Sequence, residues 1–189
     1  MQKHYATLFA SFLLFLADAT MAQSAKAPLA PPANATPFGL EIGVATCDAV
    51  RAKFNRPSEK KLEGGDVWLE ASNREQLYPG ANSLGARCSG NKLIAVQIEA
   101  SKGGMENEGS REVFATLKSK YKLVSGGPMP SLGDGYARFA VGNTVIEQSA
   151  PHLSFVFSVT YFEKSFYDGI VAAKQKEQQQ AKSKKQSSL

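Results

Sequence analysis

Histidine is the residue type that most often performs acid–base chemistry at neutral pH, and this chain contains only two. His4 lies at the amino terminus, which leaves His152, next to Pro151 at a predicted turn. One histidine cannot build a histidine-rich zinc site, and the sequence has no Gly-x-Ser-x-Gly motif to present a catalytic serine. We therefore predict no metal site, and we interpret His152 as an exposed turn residue rather than a catalytic base.

Carboxylates are the other side chains that could catalyse a reaction. Asp66 and Glu70 could support glycosidase-like chemistry, which requires a second acid across the substrate, but no pattern in the sequence supplies one. Glu106 and Glu108 lie in a glycine-containing loop, where we expect them to be solvated. The glycine-rich stretches lack the Lys-Ser/Thr pair of a phosphate-binding loop. We predict a protein that is not an enzyme and needs no cofactor, with a small hydrolase as an open alternative.

Two cysteines, Cys47 and Cys88, are the remaining reactive side chains. In an oxidising compartment two cysteines most simply form one disulfide. A redox pair usually shows the close Cys-x-x-Cys spacing, which is absent here. The pattern favours a structural bridge, with two free buried thiols or a redox pair as the alternatives.

The amino terminus indicates export. Residues 1–22 combine a weakly basic start with the apolar run Leu8–Ala17, and Thr20-Met21-Ala22 offers the small residues that a signal peptidase recognises. The run is too short to span a bilayer as a stable helix, although a retained anchor is the alternative. Residues 23–37 are rich in Ala and Pro, which predicts an extended, partly disordered linker. The expected location is the periplasm or the extracellular medium.

The net charge of +5 lies almost entirely at the carboxyl end. Residues 174–189, rich in Lys and Gln, carry +4, and residues 23–173 carry +1. A nucleic-acid-binding protein would normally place a basic stripe on its folded surface, and none is visible, so we predict no nucleic-acid partner. We expect the tail to fray after a helical turn or two. Its lysines supply an alternative function, weak contact with anionic lipid or cell-wall polymer.

The segment between the linker and the tail, residues 38–173, predicts one domain in which a pattern occurs twice. In residues 38–103, Thr46 can cap a helix whose apolar face carries Cys47, Val50 and Phe54, and three strands follow. In residues 104–173, Ser110 can cap a second helix, and three strands again follow. The strands are predicted at 67–71, 86–89, 93–100, 136–141, 144–149 and 153–162, with turns at Gly90-Asn91 and Gly142-Asn143. This order predicts an α+β fold, an antiparallel sheet with helices on one face, and a tandem helix-plus-three-strand repeat.

The segment Phe38–Val50, with sequence FGLEIGVATCDAV, resembles the opening of a class of small bacterial envelope proteins. In that class an apolar-Gly-x-Ser/Thr turn begins a helix that carries a Val and then a large apolar residue. The class includes the small outer-membrane assembly lipoproteins and the tandem-repeat β-lactamase inhibitory proteins. The resemblance implies helices packed on one face of a sheet whose other face binds a partner. No lipobox cysteine is present, and no binding residue is carried over.

Strand alternation assigns residues to the two faces of the predicted sheet. The inward set is Val67, Leu69, Ala71, Ile94, Val96, Ile98, Phe139, Leu153, Phe155, Phe157 and Val159. The outward set is Trp68, Glu70, Arg87, Gln97, Glu99, Tyr136, Arg138, Ser158 and Thr160. Trp, Tyr and Arg among polar residues are typical of protein-contact surfaces. We therefore predict that Trp68, Arg87, Tyr136 and Arg138 bind an envelope or extracellular protein, the alternative being a solvated face with Trp68 half covered by a loop. The sequence does not indicate the oligomeric state.

Overall fold

A computed structural model of the chain describes residues 34–103 and 106–187. The predicted signal peptide at 1–22, the linker up to residue 33 and the last two tail residues lie outside the described residues. Within the described part, no helix is both long and apolar enough to cross a membrane.

Four α-helices and eight strands make up the described fold. The helices are α1 (Cys47–Lys53), α2 (Arg74–Leu77), α3 (Glu108–Lys120) and α4 (Lys164–Ser187). The strands are β1 (Ser58–Lys61), β2 (Val67–Glu70), β3 (Ala81–Ser89), β4 (Lys92–Ser101), β5 (Lys122–Gly126), β6 (Gly135–Val141), β7 (Thr144–Ala150) and β8 (Val156–Glu163). All eight strands form one antiparallel sheet in the order β1-β2-β3-β4-β8-β7-β6-β5. The predicted α+β class is confirmed.

The strand order is symmetrical about its centre, where β4 pairs with β8. Each half consists of a helix followed by a four-stranded meander, one strand more than predicted. The additional strands, β1 and β5, are the two edges of the sheet. Every residue of β1 is exposed, and its sequence SEKK has no apolar alternation from which to predict a strand. An origin by duplication of one unit stays a prediction.

Helices α1 and α3 cover one face of the sheet and enclose the core. Thr46 caps α1 as predicted, because its hydroxyl accepts a hydrogen bond from the Ala49 amide at 3.2 Å. On α3, the Phe114 ring packs 5.7 Å from the ring of Phe139 on β6. The prediction that Ser110 caps α3 is wrong. The helix begins earlier, at Glu108, so Ser110 lies inside it, buried against Gln148 of β7.

The disulfide joins these layers. Cys47 and Cys88 are bonded, with their α-carbons 5.9 Å apart, so the bridge links the first turn of α1 to β3 as predicted. Both residues belong to the core cluster beneath the helix. A bridged pair indicates an oxidising compartment, in agreement with the expected export.

Helix α4, which the sequence did not predict beyond a short continuation, lies on the opposite face of the sheet. Phe162 on β8 points to that face, and its ring lies 6.3 Å from the Phe166 ring and 5.5 Å from the Tyr167 ring. The helix then continues to Ser187, so most of the predicted tail is helical instead of fraying. Helices therefore lie on both faces, with α1 and α3 on the predicted one.

Strand β8 is shorter than predicted, and two inward assignments are wrong. Leu153 and Phe155 are 92% and 91% exposed, whereas Phe157 and Val159 are buried in the core. Pro151 cannot continue the hydrogen-bonded ladder, and the Ser154 amide donates to the Pro151 carbonyl at 3.1 Å to form a turn. Alternation begins only at Val156, after that turn.

Candidate functional site

The four predicted partner-binding residues lie on the same face of the sheet, the one opposite α1 and α3. Trp68 on β2 is directly opposite Arg87 on β3, while Tyr136 and Arg138 lie on β6. Strands β4, β8 and β7 separate β3 from β6, so the four residues form two clusters rather than one. The first turns of α4 contact both clusters.

The first cluster surrounds Arg87. Its Nε donates to the Asp66 carboxylate at 2.7 Å, and its guanidinium lies 4.7 Å from the centroid of the Phe166 ring on α4. A hydrogen bond from the Ser89 side chain is the main factor that lowers the pKa of Asp66; partial burial opposes it and Arg87 adds to it. Arg87 is thus engaged with its own chain on both sides.

The second cluster centres on the Glu147 carboxylate of β7. The hydroxyls of Tyr136 and Tyr167 donate to Glu147 Oε1 at 2.5 and 2.7 Å, and Arg138 Nε lies 3.2 Å from the same oxygen. Burial and the bond to Glu147 raise the pKa of Tyr136 and of Tyr167, so both phenols stay protonated donors. The side chains of Tyr136, Tyr167 and Arg138 thus converge on one oxygen of Glu147.

A groove of about 390 Å³ runs between α4 and this second cluster. Its walls include Tyr136 and Arg138 on one side and Ile170, Lys174 and Gln178 on the other. The groove is therefore the open part of the predicted contact face, and Tyr136 at its edge remains 40% exposed.

A larger cleft, which sequence reasoning missed, opens on the face of the sheet that carries α3. This central cleft has a volume of about 560 Å³ and lies above the two middle strands, β4 and β8. Helix α3 forms one wall, and two short segments, Thr36–Phe38 and Tyr78–Gly80, form the other. Its floor is apolar, made by Ile98, Ala100, Phe157, Val159 and the ring of Tyr161.

Three tyrosines give the central cleft its polar character. Tyr78, Tyr121 and Tyr161 all line it, and within the described residues none of their hydroxyls has a hydrogen-bond partner. Burial raises the pKa of all three; Tyr121 and Tyr78 raise that of Tyr161 further, as Glu112 does for Tyr78. The hydroxyls are therefore neutral and able to donate.

Two charged residues of α3 line the central cleft at different positions along the helix. Glu112 lies near Tyr78, and Lys120 lies two turns further along α3 beside Tyr121. Neither residue takes part in an ion pair among the described residues. The cleft thus presents an acid and a base about 12 Å apart along the helix axis.

The sequence carried part of this signal. The helical spacing of Phe114 and Leu117 on α3 continues to Tyr121, and inward alternation along β8 leads from Phe157 through Val159 to Tyr161. What the sequence could not show is that residues from the two halves meet above β4 and β8, because that requires the central strand pairing.

A third exposed feature is the turn between β7 and β8. Its Leu153 and Phe155 point into solvent, and the turn is held by Lys102, whose ammonium donates to the Pro151 carbonyl and whose amide donates to that of Phe155 at 3.0 Å. His152 is exposed here, as predicted, and its Nδ1 accepts from the Gly133 amide at 3.1 Å.

The two acids weighed for hydrolase chemistry lie at the start and the end of β2. Asp66 is bound to Arg87, and Glu70 is exposed at the end of β2. Residues 34–103 and 106–187 contain no group of three or more His, Cys, Asp or Glu side chains placed to hold a metal ion. Comparison with protein-family models, with curated proteins and with solved structures gave no match to this chain.

Proposed function

We propose that this chain is an exported, non-catalytic binding protein that holds an extended segment of a protein partner in the central cleft. The observation that carries the proposal is the set of three unpartnered tyrosine hydroxyls above an apolar floor. All three hydroxyls reach solvent in the cleft, where acceptors of a ligand can replace water, and a few polar donors over an apolar floor are typical of ligand-binding sites.

The shape of the central cleft favours an extended ligand. The floor follows β4 and β8 from Ser101 and Phe157 to Tyr161, a length of about 13 Å along the strand. An extended peptide laid along this floor would offer backbone carbonyls to the tyrosine hydroxyls and apolar side chains to the floor. In peptide recognition, main-chain hydrogen bonds commonly give affinity, and apolar pockets for side chains give selectivity.

The predicted contact face is the second candidate, and one observation favours it. Tyr136 and Arg138 are fixed by Glu147 at the edge of an open groove, so they are pre-organised and partly exposed. If this face binds the partner, we expect Trp68→Ala combined with Arg138→Ala to abolish retrieval of a specific envelope protein while the variant stays folded. Unchanged retrieval of that partner by the double variant would remove this face from consideration.

The central cleft is tested with a library of random dodecapeptides displayed on phage and selected on the purified protein. Selected peptides are then synthesised with a fluorophore, and their dissociation constants are measured by anisotropy. Thr116→Arg places a long charged side chain at the cleft wall, and we expect it to weaken binding at least about tenfold because the floor is blocked. Ala115→Arg, at the next and equally exposed position of α3 but outside the cleft lining, is the matched control.

A finer test removes hydroxyls without changing shape. Tyr121→Phe and Tyr161→Phe each delete one donor, and we expect each to weaken binding roughly threefold to tenfold, the effect of one net hydrogen bond. Peptides that bind Thr116→Arg as tightly as the unmodified protein, or that lose equal affinity with Ala115→Arg, would show that the cleft is not the binding site.

A further inference from the structure

The central cleft has a direction, because α3 runs along it from one end of the floor to the other. A β-carbon at Gly109, in the first turn of α3, would lie 2.9 Å from the Ser101 carbonyl oxygen, so the helix begins where β4 ends. Leu123, just beyond the end of the helix, lies in the same cross-strand row as Tyr161, joined to it through one residue each of β6 and β7. The helix therefore ends at the level of Tyr161.

The two ends of the central cleft carry opposite charges. Glu112 is the fifth residue of α3 and lies toward the Ser101 end, whereas Lys120 is the last residue of the helix and lies toward the Tyr161 end. Both side chains are exposed, and neither takes part in an ion pair among the described residues. An extended ligand on the floor therefore meets an acid at one end and, about 12 Å further on, a base at the other.

Three donor groups belong to the Lys120 end of the cleft. The ammonium of Lys120 is followed in the chain by the hydroxyl of Tyr121, and Tyr161 forms that end of the floor. A carboxylate only accepts hydrogen bonds, and bonds to a charged acceptor are about twice as strong as neutral ones. The lysines at 118 and 120 in the last turn of α3 together carry +2, which outweighs the partial charge of about −0.5 at the end of the helix. This end is therefore suited to a carboxylate.

The direction of the cleft favours the carboxylate of a chain terminus over that of a side chain. Side chains of an extended peptide project to its two faces, whereas the terminal carboxylate continues in line with the backbone. Capture of a terminal carboxylate is also a recurring mode of peptide recognition. At about 3.3 Å per residue, the fourth residue from that terminus then lies level with Glu112, where a basic side chain would complement the acid.

We propose that the central cleft binds the carboxyl-terminal residues of its partner, with the terminal carboxylate at Lys120 and Tyr161 and a Lys or Arg about four positions earlier at Glu112. The residues between these two points lie on the apolar floor. This inference rests on the proposed function and deepens it, since it states which segment of the partner the cleft holds.

The test begins with random heptapeptides displayed at the carboxyl end of a phage coat protein, so that every peptide has a free terminal carboxylate. Sequences selected on the purified protein are synthesised in two forms, the free acid and the carboxyl-terminal amide, with the same fluorophore at the amino end. Dissociation constants measured by anisotropy should favour the acid about tenfold, the effect of a hydrogen bond to a charged group. Equal affinity of the two forms would overturn the inference, because a side-chain carboxylate or a backbone carbonyl would then be enough.

Substitution of Lys120 locates the carboxylate. Lys120→Met removes the ammonium and keeps an unbranched side chain, so acid peptides should bind about tenfold more weakly while amide peptides are unaffected. Lys118→Met changes an exposed lysine of the same turn that lies outside the cleft lining, and this matched control should keep the preference for the acid. A preference that survives Lys120→Met, or that is lost equally in both variants, would contradict the assignment.

Substitution of Glu112 tests the other end. Glu112→Gln should weaken peptides with Lys or Arg at the fourth position from the end roughly threefold, the effect of an exposed ion pair, and should leave the same peptides with alanine at that position unchanged. Glu108→Gln, at an exposed acid of α3 outside the cleft lining, is the control. Equal effects of Glu112→Gln on the basic and the alanine peptides would overturn the pairing with Glu112.

Thr116→Arg separates this inference from the proposed function. If peptides bind in a Thr116-dependent manner whatever group their carboxyl end carries, the cleft is a binding site and the carboxyl-terminal assignment is overturned. If neither this library nor the dodecapeptide library yields Thr116-dependent binding, the inference and the proposed function are both overturned.

Discussion

The indole of Trp68 fills the space beside Gly85, on the neighbouring strand, where any other residue would carry its β-carbon. A β-carbon added at Gly85 would lie 1.9 Å from Cζ2 of Trp68, closer than any two carbons can approach without a bond. Glycine at this position of β3 therefore provides the space that the largest side chain of the outer face occupies. Trp68 is consequently half-buried against the sheet rather than standing free for a partner.

Gly85→Ala should therefore destabilise the protein by about 1–3 kcal/mol, because Trp68 must leave its position or the strands must separate. Urea unfolding followed by fluorescence measures this directly, since Trp68 is the one tryptophan in the sequence. Gly127→Ala is the control: a β-carbon there meets nothing within 4 Å, and we expect the unfolding midpoint to stay unchanged. Equal effects of the two substitutions would contradict the packing argument.

The bridge between Cys47 and Cys88 closes a loop with a sequence separation of 41. Replacement of both cysteines by alanine should lower the free energy of unfolding by about 3–4 kcal/mol on the chain-entropy account. The measurement is the urea midpoint of the double variant against the oxidised protein, with the reduced wild-type chain as a control that keeps both side chains. An equal urea midpoint for the oxidised and the reduced wild-type chain would show that the bridge does not stabilise the fold.

The elements that the sequence predicted correctly are those with a local signal. Cys47, Val50 and Phe54 repeat at helical spacing, and Gly90-Asn91 is a turn because both residues adopt positive φ. The assignments that were wrong depended on the residue at which a strand begins. In the sequence, Leu153 and Phe155 extend the apolar alternation of β8. In the structure, Pro151 begins a turn that places both side chains in solvent.

The candidate site was only half predictable for a different reason. Alternation placed Trp68, Arg87, Tyr136 and Arg138 on one face, and the register confirms that placement. It could not show that α4 crosses the same face, because the helix's contacts with Arg87 and Glu147 join residues about 20–80 positions apart. The central cleft is hidden for the same reason, since its floor exists only once β4 pairs with β8.

The ionised form of Asp66 should stabilise the protein. Its pKa is lowered chiefly by the hydrogen bond from Ser89, so the contribution is complete above the ordinary aspartate pKa of about 3.9 and is lost as the pH falls through the lower folded value. Asp66→Asn should cost about 1–2 kcal/mol at pH 7 and flatten the acid limb of a stability–pH profile. Glu70→Gln, at an exposed carboxylate of β2, is the control and should change the free energy of unfolding at pH 7 by less than about 0.5 kcal/mol.

Ser110 and Gln148 form a buried polar pair between α3 and β7. The Gln148 amide donates to the Ser110 carbonyl at 2.6 Å and to its hydroxyl at 3.1 Å, while its own Oε1 has no partner among the described residues. Ser110→Ala alone should cost about 1 kcal/mol, because it removes one acceptor. Ser110→Ala combined with Gln148→Met should be neutral or stabilising, since it also removes the unpaired oxygen. Additive losses in a urea double-mutant cycle would contradict this.

The apolar turn between β7 and β8 should contribute to association rather than to folding. Leu153 and Phe155 are almost fully exposed, so Leu153→Ser with Phe155→Ser should change the free energy of unfolding by less than about 0.5 kcal/mol. Phe157→Ala, two residues further on and 2% exposed, is the matched control and should cost about 3–5 kcal/mol. Sedimentation velocity then compares self-association of the double variant with that of the unmodified protein. Removal of an exposed apolar pair should reduce any self-association. A large loss of stability in the double variant would mean that these side chains pack against the protein in solution, against the exposure seen here.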